Sequence, residues 1–155
     1  PGRTPHPRTN PAGHSYGAAP PAAAPLVRHG WAANQSYLFG VDLYNLDFWW
    51  EAHEEWEGLW GLEPRGSTVR RYLQGLIQVA AAMIRWEEGN RRGLEGLAGR
   101  GLGYLQEVAD SCGPRYTGLE VTAFAAAVRE LLAAEPPGPG RAPAIWLASG
   151  GDPAP

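Results

Sequence analysis

Four of the seven tryptophans fall within the twelve residues from Trp49 to Trp60, and no other feature constrains the fold as much. On a helix at about 100° per residue, Trp49, His53, Trp56 and Trp60 form one narrow stripe, with Ala52 and Leu59 on one side of it and Trp50 and Glu57 on the other. Large rings in a stripe must face an apolar surface on another element, and burying them supplies area that a small domain needs. Trp49, Trp56 and Trp60 are therefore expected in the core. His53 falls where the apolar stripe meets an acidic face, one turn before Glu57.

The neighbouring segments repeat the helical spacing. Tyr37, Leu38, Val41 and Tyr44 define a first helix up to the turn Asn45-Leu46-Asp47, and Asp47 suits the N-cap of the Trp-rich helix, which Gly61 and Pro64 close. Ser67 or Thr68 caps a third helix reaching about Glu88, with Leu73, Ile77, Ala80 and Ile84 as its apolar stripe and Gln74, Gln78 and Arg85 along one margin. After the break Gly89-Asn90, the residues Leu94, Leu97, Ala98, Leu102, Leu105 and Val108 give a fourth helix. Its five glycines, Gly93, Gly96, Gly99, Gly101 and Gly103, each cost up to about 1 kcal/mol relative to Ala in isolation. Close backbone approach to a neighbour is the expected compensation. Thr117-Gly118-Leu119-Glu120 has the capping-box form and opens a fifth helix with Val121, Phe124, Val128 and Leu131 on one face.

Strand signals are nearly absent. The class is all-α, a compact bundle of about five helices in antiparallel helical hairpins with disordered termini. Two hairpins, 35–60 and 70–108, share an outline, but two copies are too few for a free-standing solenoid. Residues 1–33 form a Pro/Ala/Gly-rich extension in which His6, His14 and His29 are solvent-exposed, 34–135 the helical domain, and 136–155 a Pro/Gly-rich tail. Within that tail Ile145-Trp146-Leu147 is either an apolar anchor docked on the domain or part of a free end.

A net charge of −3 without a basic stretch argues against nucleic acid. No run of eighteen apolar residues exists, so no membrane span is expected. The single Cys112 excludes an internal disulfide framework and a Cys-based zinc site, and it fits a reducing, cytoplasmic compartment. The chain begins at Pro1 rather than Met, which leaves open an N-terminal segment removed or missing.

Three chemistries compete around His53. His53 and Glu57 at i and i+4 could both reach one divalent ion, with Glu54 nearby. Two ligands from one helix are too few, Glu57 stands where a His-Glu-x-x-His zinc motif has its second His, and Gln74 or Gln78 is a poor zinc ligand. No Glu-x-x-His pair supports a di-iron bundle. A hydrolase-type enzyme without metal would use a His53 tuned by the Trp surface and Glu57, with Arg85 or Arg70 holding an anionic substrate. No nucleophile, phosphate loop or cofactor fingerprint accompanies it, and no cofactor is predicted beyond that candidate divalent metal. The third reading is a buried network in which His53, Glu57, Gln74 and Gln78 set the register of the second and third helices. Trp50 and Trp86 lie off the apolar arcs of their helices and form a candidate interaction surface.

Several blocks carry a family resemblance: Phe48-Trp49-Trp50-Glu51-Ala52-His53-Glu54 with Glu57 and Trp60, Leu73-Gln74-Gly75-Leu76-Ile77-Gln78-Val79-Ala80-Ala81, Gly89-Asn90, and Gly118-Leu119-Glu120. In this order over roughly residues 35–134 the chain resembles domain of unknown function 309, a family of small all-helical bacterial and archaeal proteins. The resemblance implies a compact helical fold and no established activity. The family tends to carry His where Arg85 stands and Ala-Arg where Gly93-Leu94 stands, so a second imidazole is missing here. The functional expectation is a binding or interaction module with a protein partner or a second copy of the chain. The alternative is a metal-dependent or acid–base enzyme centred on His53 and Glu57.

Overall fold

The computed structural model describes residues 5, 10–13, 16–17, 23–134 and 142–148. The expectation of disordered termini falls largely on the other positions, His6 and His14 among them, and so lies outside the described residues. After a 3₁₀ segment at Arg28–Ala33 come α1 (Gln35–Asn45), α2 (Trp49–Leu62), α3 (Thr68–Glu87), α4 (Arg91–Cys112), β1 (Arg115–Tyr116), β2 (Leu119–Glu120) and α5 (Val121–Ala133). Consecutive helices pack on one another, α3 and α4 most extensively. The fold is the expected all-α bundle with a very small β-hairpin between its last two helices. Trp56, Tyr37, Tyr44, Tyr72 and Met83 are among the largest fully buried side chains.

Local chemistry places most helix ends. Side chains of Asn34, Ser67 and Asn90 accept from the N–H groups of Tyr37, Arg70 and Gly93 and so cap α1, α3 and α4. Asp47 does not cap α2 as expected. It takes φ +66° just after α1, and the pair Asp47 N–H to Tyr44 O and Phe48 N–H to Leu43 O closes a Schellman motif. With its left-handed backbone Asp47 ends α1, and the cap position of α2 passes to Phe48, which has negative φ and makes no side-chain cap bond. Gly89 ends α3 the same way, with φ +68°.

The expected capping box at Thr117 is also replaced. Thr117 and Gly118 both have positive φ, +45° and +78°, the pattern of a type I′ turn, and they join two antiparallel strands in which Tyr116 faces Leu119. Thr117 is buried, and its hydroxyl lies 3.2 Å from the Tyr37 hydroxyl and 2.8 Å from the Tyr116 carbonyl oxygen. A tertiary partner thus takes the group that a local cap would have used. Gly118 is obligatory there, because a Cβ would stand 2.5 Å from the Trp31 ring.

Close approach accounts for only part of the glycine content of α4. A Cβ on Gly101 would meet Val79 at 2.9 Å and the Gly75 carbonyl oxygen at 3.0 Å, and one on Gly93 would meet Arg85. Gly99 and Gly103 face open space, and Gly96 has only Arg100 nearby.

The packed body extends beyond residues 34–135 at both ends. Leu26 and Trp31, expected in the extension, are buried. The Leu26 N–H donates to the buried Glu63 carboxylate at 2.8 Å, and Arg28 donates to the Cys112 carbonyl at 3.0 Å and lies over the Tyr116 ring. At the other end Ile145 is buried, so of the two readings of Ile145-Trp146-Leu147 the docked anchor holds. Isolated apolar side chains outside a helical pattern carry no periodic signal of burial, yet Leu26, Trp31 and Ile145 are all buried.

Candidate functional site

The residues singled out around the Trp stripe separate into a buried and an exposed set. Trp49 and Trp56 are in the core with Ala52 and Leu59. The Trp56 ring passes over Gly40 of α1, where any Cβ would run into its indole, and its Nε1 donates to the Tyr37 carbonyl at 3.4 Å. Trp60 is half-buried under the Arg70 guanidinium, 3.5 Å above its ring. Trp50, on the other side of the helix, is 59% exposed.

Trp50 is nevertheless held. Its ring stacks on His53 with centroids 5.7 Å apart and an interplanar angle of 12°. The imidazole leans from there toward Glu57, with Nε2 3.7 Å from Oε1, and its Nδ1 is buried with no hydrogen-bond partner among the described residues. Trp50 and His53 are i and i+3 and His53 and Glu57 are i and i+4, so the three side chains follow one another along one face of α2. Glu54 is exposed beside them. The result is a flat aromatic pair in which Trp50 is the exposed ring and His53 the largely covered one, with carboxylates at its rim.

The other polar candidates go elsewhere. Gln78 accepts from Arg100 of α4 at 3.1 Å, and Arg85 pairs with Glu88 at 2.6 Å on the surface. Trp86 is half-buried, edge-on to Trp49 at 6.0 Å, and does not share the exposure of Trp50. Gln74 lines a cleft of about 240 Å³ together with Trp60, Gly66, Ser67, Arg70, Arg71 and Tyr104. Among the described residues no hydrogen bond or ion pair joins His53 or Glu57 to Gln74, Gln78 or Arg85. The candidate polar residues thus form no single hydrogen-bond network: Gln78 faces Arg100 of α4, Arg85 faces Glu88, Gln74 lines the cleft, and His53 lies between Trp50 and Glu57.

In the cleft both cations already have partners. Arg70 donates from one nitrogen to the carbonyls of Trp60 and Glu63, each at 2.7 Å, which satisfies the C-terminal end of α2. Arg71 is paired with Glu107 of α4. Sequence reasoning missed Arg71 and Tyr104, and the one local signal for them is the Arg70-Arg71 pair that follows the Ser67 cap.

No group of three or more His, Cys, Asp or Glu side chains able to hold a metal ion comes together among the described residues. His53 and Glu57 alone would present two ligands from one helix to a divalent ion, leaving most of its coordination to solvent.

The family model described as domain of unknown function (DUF309) matches residues 37–97, which run from α1 through the first turns of α4. The first three blocks of the resemblance lie inside that span, together with Trp50, His53, Glu54, Glu57, Gln74, Gln78, Arg85 and Trp86. The Gly118-Leu119-Glu120 block, the hairpin, α5 and the docked segment lie outside it. No curated protein matches the chain. The match supports an uncharacterised small helical domain, and the family description names no activity. Among the described residues no helix is long and apolar enough to cross a membrane.

Proposed function

We propose that this domain is a binding module that offers Trp50 to a protein partner or to a second copy of the chain. The observation that carries the reading is the stacking of an exposed Trp50 on His53. A ring already held in place loses little freedom on binding, and Trp is a favoured anchor at interfaces. Glu54 and Glu57 at the rim suit a partner surface carrying Arg or Lys, whose side chains could also lie on the Trp50 face. With a net charge of −3 nucleic acid is the poorer partner. The single Cys112 fits a reducing, cytoplasmic setting.

The enzyme alternative draws on the His53–Glu57 pair. His53 is largely covered by its neighbours and Glu57 is exposed, and neither lines the cleft between Trp60 and Tyr104, so binding is the better-supported reading.

A photo-crosslinking side chain at position 50 of the full chain tests the proposal. Adducts confined to Arg- or Lys-bearing segments, and lost with Glu54→Gln/Glu57→Gln, are expected. Equal adduct yields from position 50 and from the exposed Leu62 would sink it.

A further inference from the structure

Residues 142–148 are held mainly through their backbone. The side-chain amide of Asn45, at the end of α1, donates to the Ile145 carbonyl and accepts from the Ile145 N–H, both at 2.8 Å. Two residues on, Leu147 bridges Leu119 of β2 in antiparallel fashion, and the Ala148 N–H donates to the Gly118 carbonyl at 2.8 Å. The segment adds a rudimentary third strand to the β1–β2 hairpin. Side-chain packing has one deep position and shallower ones beside it: Ile145 is 2% exposed, Leu147 is half-buried against the core, and Trp146 is 79% exposed.

Backbone pairing along a sheet edge, plus one pocketed aliphatic side chain, is a way proteins take up extended peptides from other chains. An amide side chain that grips both polar groups of one residue's backbone leaves the identity of the flanking residues free. Between Ala134 and Ala142 lie seven residues, Glu135–Arg141, three of them Pro and two Gly. A connection this short keeps the segment at a high effective concentration beside its site, so occupancy in cis does not require high intrinsic affinity.

We propose that the surface formed by the end of α1 and the β1–β2 hairpin is a peptide-docking site, with residues 142–148 as its tethered ligand. An extended segment of another protein, with an aliphatic residue at the Ile145 position and a second one two residues later, competes for it. The site is independent of Trp50 and, except for Asn45, lies outside the DUF309 span.

The test uses the full chain and a fluorescent peptide of sequence Ala-Pro-Ala-Ile-Trp-Leu-Ala, followed by fluorescence polarisation. Ile145→Asp should release the chain's own segment and bind the peptide at least tenfold more tightly than wild type, and adding Asn45→Ala should abolish that binding. Equal binding to wild type and Ile145→Asp, or none to a folded Ile145→Asp, overturns the proposal. So does light scattering that shows a wild-type dimer converted to a monomer by Ile145→Asp, since a second copy would then hold the segment. If Ile145→Asp fails to fold, Asn45→Ala is followed by amide hydrogen exchange. The proposal requires at least tenfold loss of protection at Ile145 with α3 unchanged, and parallel loss in both overturns it.

Discussion

Gly75 of α3 and Gly101 of α4 meet backbone to backbone: a Cβ on Gly101 would stand 3.0 Å from the Gly75 carbonyl oxygen, and one on Gly75 would stand 2.8 Å from the Leu105 side chain. This contact sets how closely the two longest helices approach. Gly101→Ala is expected to lower stability by about 1 kcal/mol or more, since overpacking outweighs the gain in helix propensity. Gly99→Ala and Gly103→Ala, where the added methyl enters open space, should each raise it by up to about 1 kcal/mol. Urea melts of the three variants check the contrast, and a stabilising Gly101→Ala would show that the helices have room to move apart.

Tyr44 carries a buried hydroxyl with no hydrogen-bond partner among the described residues. Burial first, and the nearby Asp47 second, push its ionisation far above the ordinary value of about 10. The folded protein therefore keeps this proton where the unfolded chain releases it. Above about pH 10 the unfolded state binds fewer protons, so stability should fall by up to about 1.4 kcal/mol per pH unit. Tyr44→Phe should remove that part of the alkaline loss and cost little at pH 7, as judged by melting temperatures at pH 7 and pH 11.

The hydroxyls of Tyr37 and Tyr72 lie 2.8 Å apart in the core, and Tyr37 also donates to the Thr117 carbonyl at 3.0 Å. Tyr37→Phe should cost about 1–3 kcal/mol, because it leaves buried polar groups short of a partner. In a double-mutant cycle with Tyr72→Phe the two losses should fall short of additivity by at least about 0.5 kcal/mol. Strict additivity would mean that the two hydroxyls do not act on each other.

His53 stacks on Trp50 without a hydrogen bond to α3, so His53→Ala should destabilise the fold by no more than about 1 kcal/mol. A loss of about 3 kcal/mol or more in denaturant melts would instead mark a buried network. Trp50→Ala should change stability by less than about 0.5 kcal/mol while weakening any association.

The helices were legible in the sequence because each buries one stripe of its own residues. Spacing alone exposes such a stripe, and Ser67 and Gly89-Asn90 declare the ends by chemistry that acts within a few residues. The site was legible one helix at a time. Trp50, His53 and Glu57 share a face of α2, which the 100° rule finds, whereas a pairing of Gln78 with His53 depended on how α3 is rotated against its neighbours. That rotation follows from how Gly75 and Gly101 fit together, and no count along either helix reveals it.

Sequence by itself determined the all-α class, the apolar faces, the breaks and the Trp-rich α2, all consequences of interactions spanning four residues or fewer. Only the tertiary structure decided that Asp47 ends one helix rather than starting the next, that Thr117 turns a hairpin toward Tyr37, and that Asn45 grips Ile145 a hundred residues away. Asp47 is decided by its backbone, whose positive φ closes the end of α1, whereas Thr117 and Asn45 each carry a short polar side chain with a local and a distant partner within its chemistry. The Thr117 hydroxyl is cut off from water and must bond to what the packed neighbours present, and Asn45 meets the Ile145 backbone only because the fold brings that segment to the end of α1.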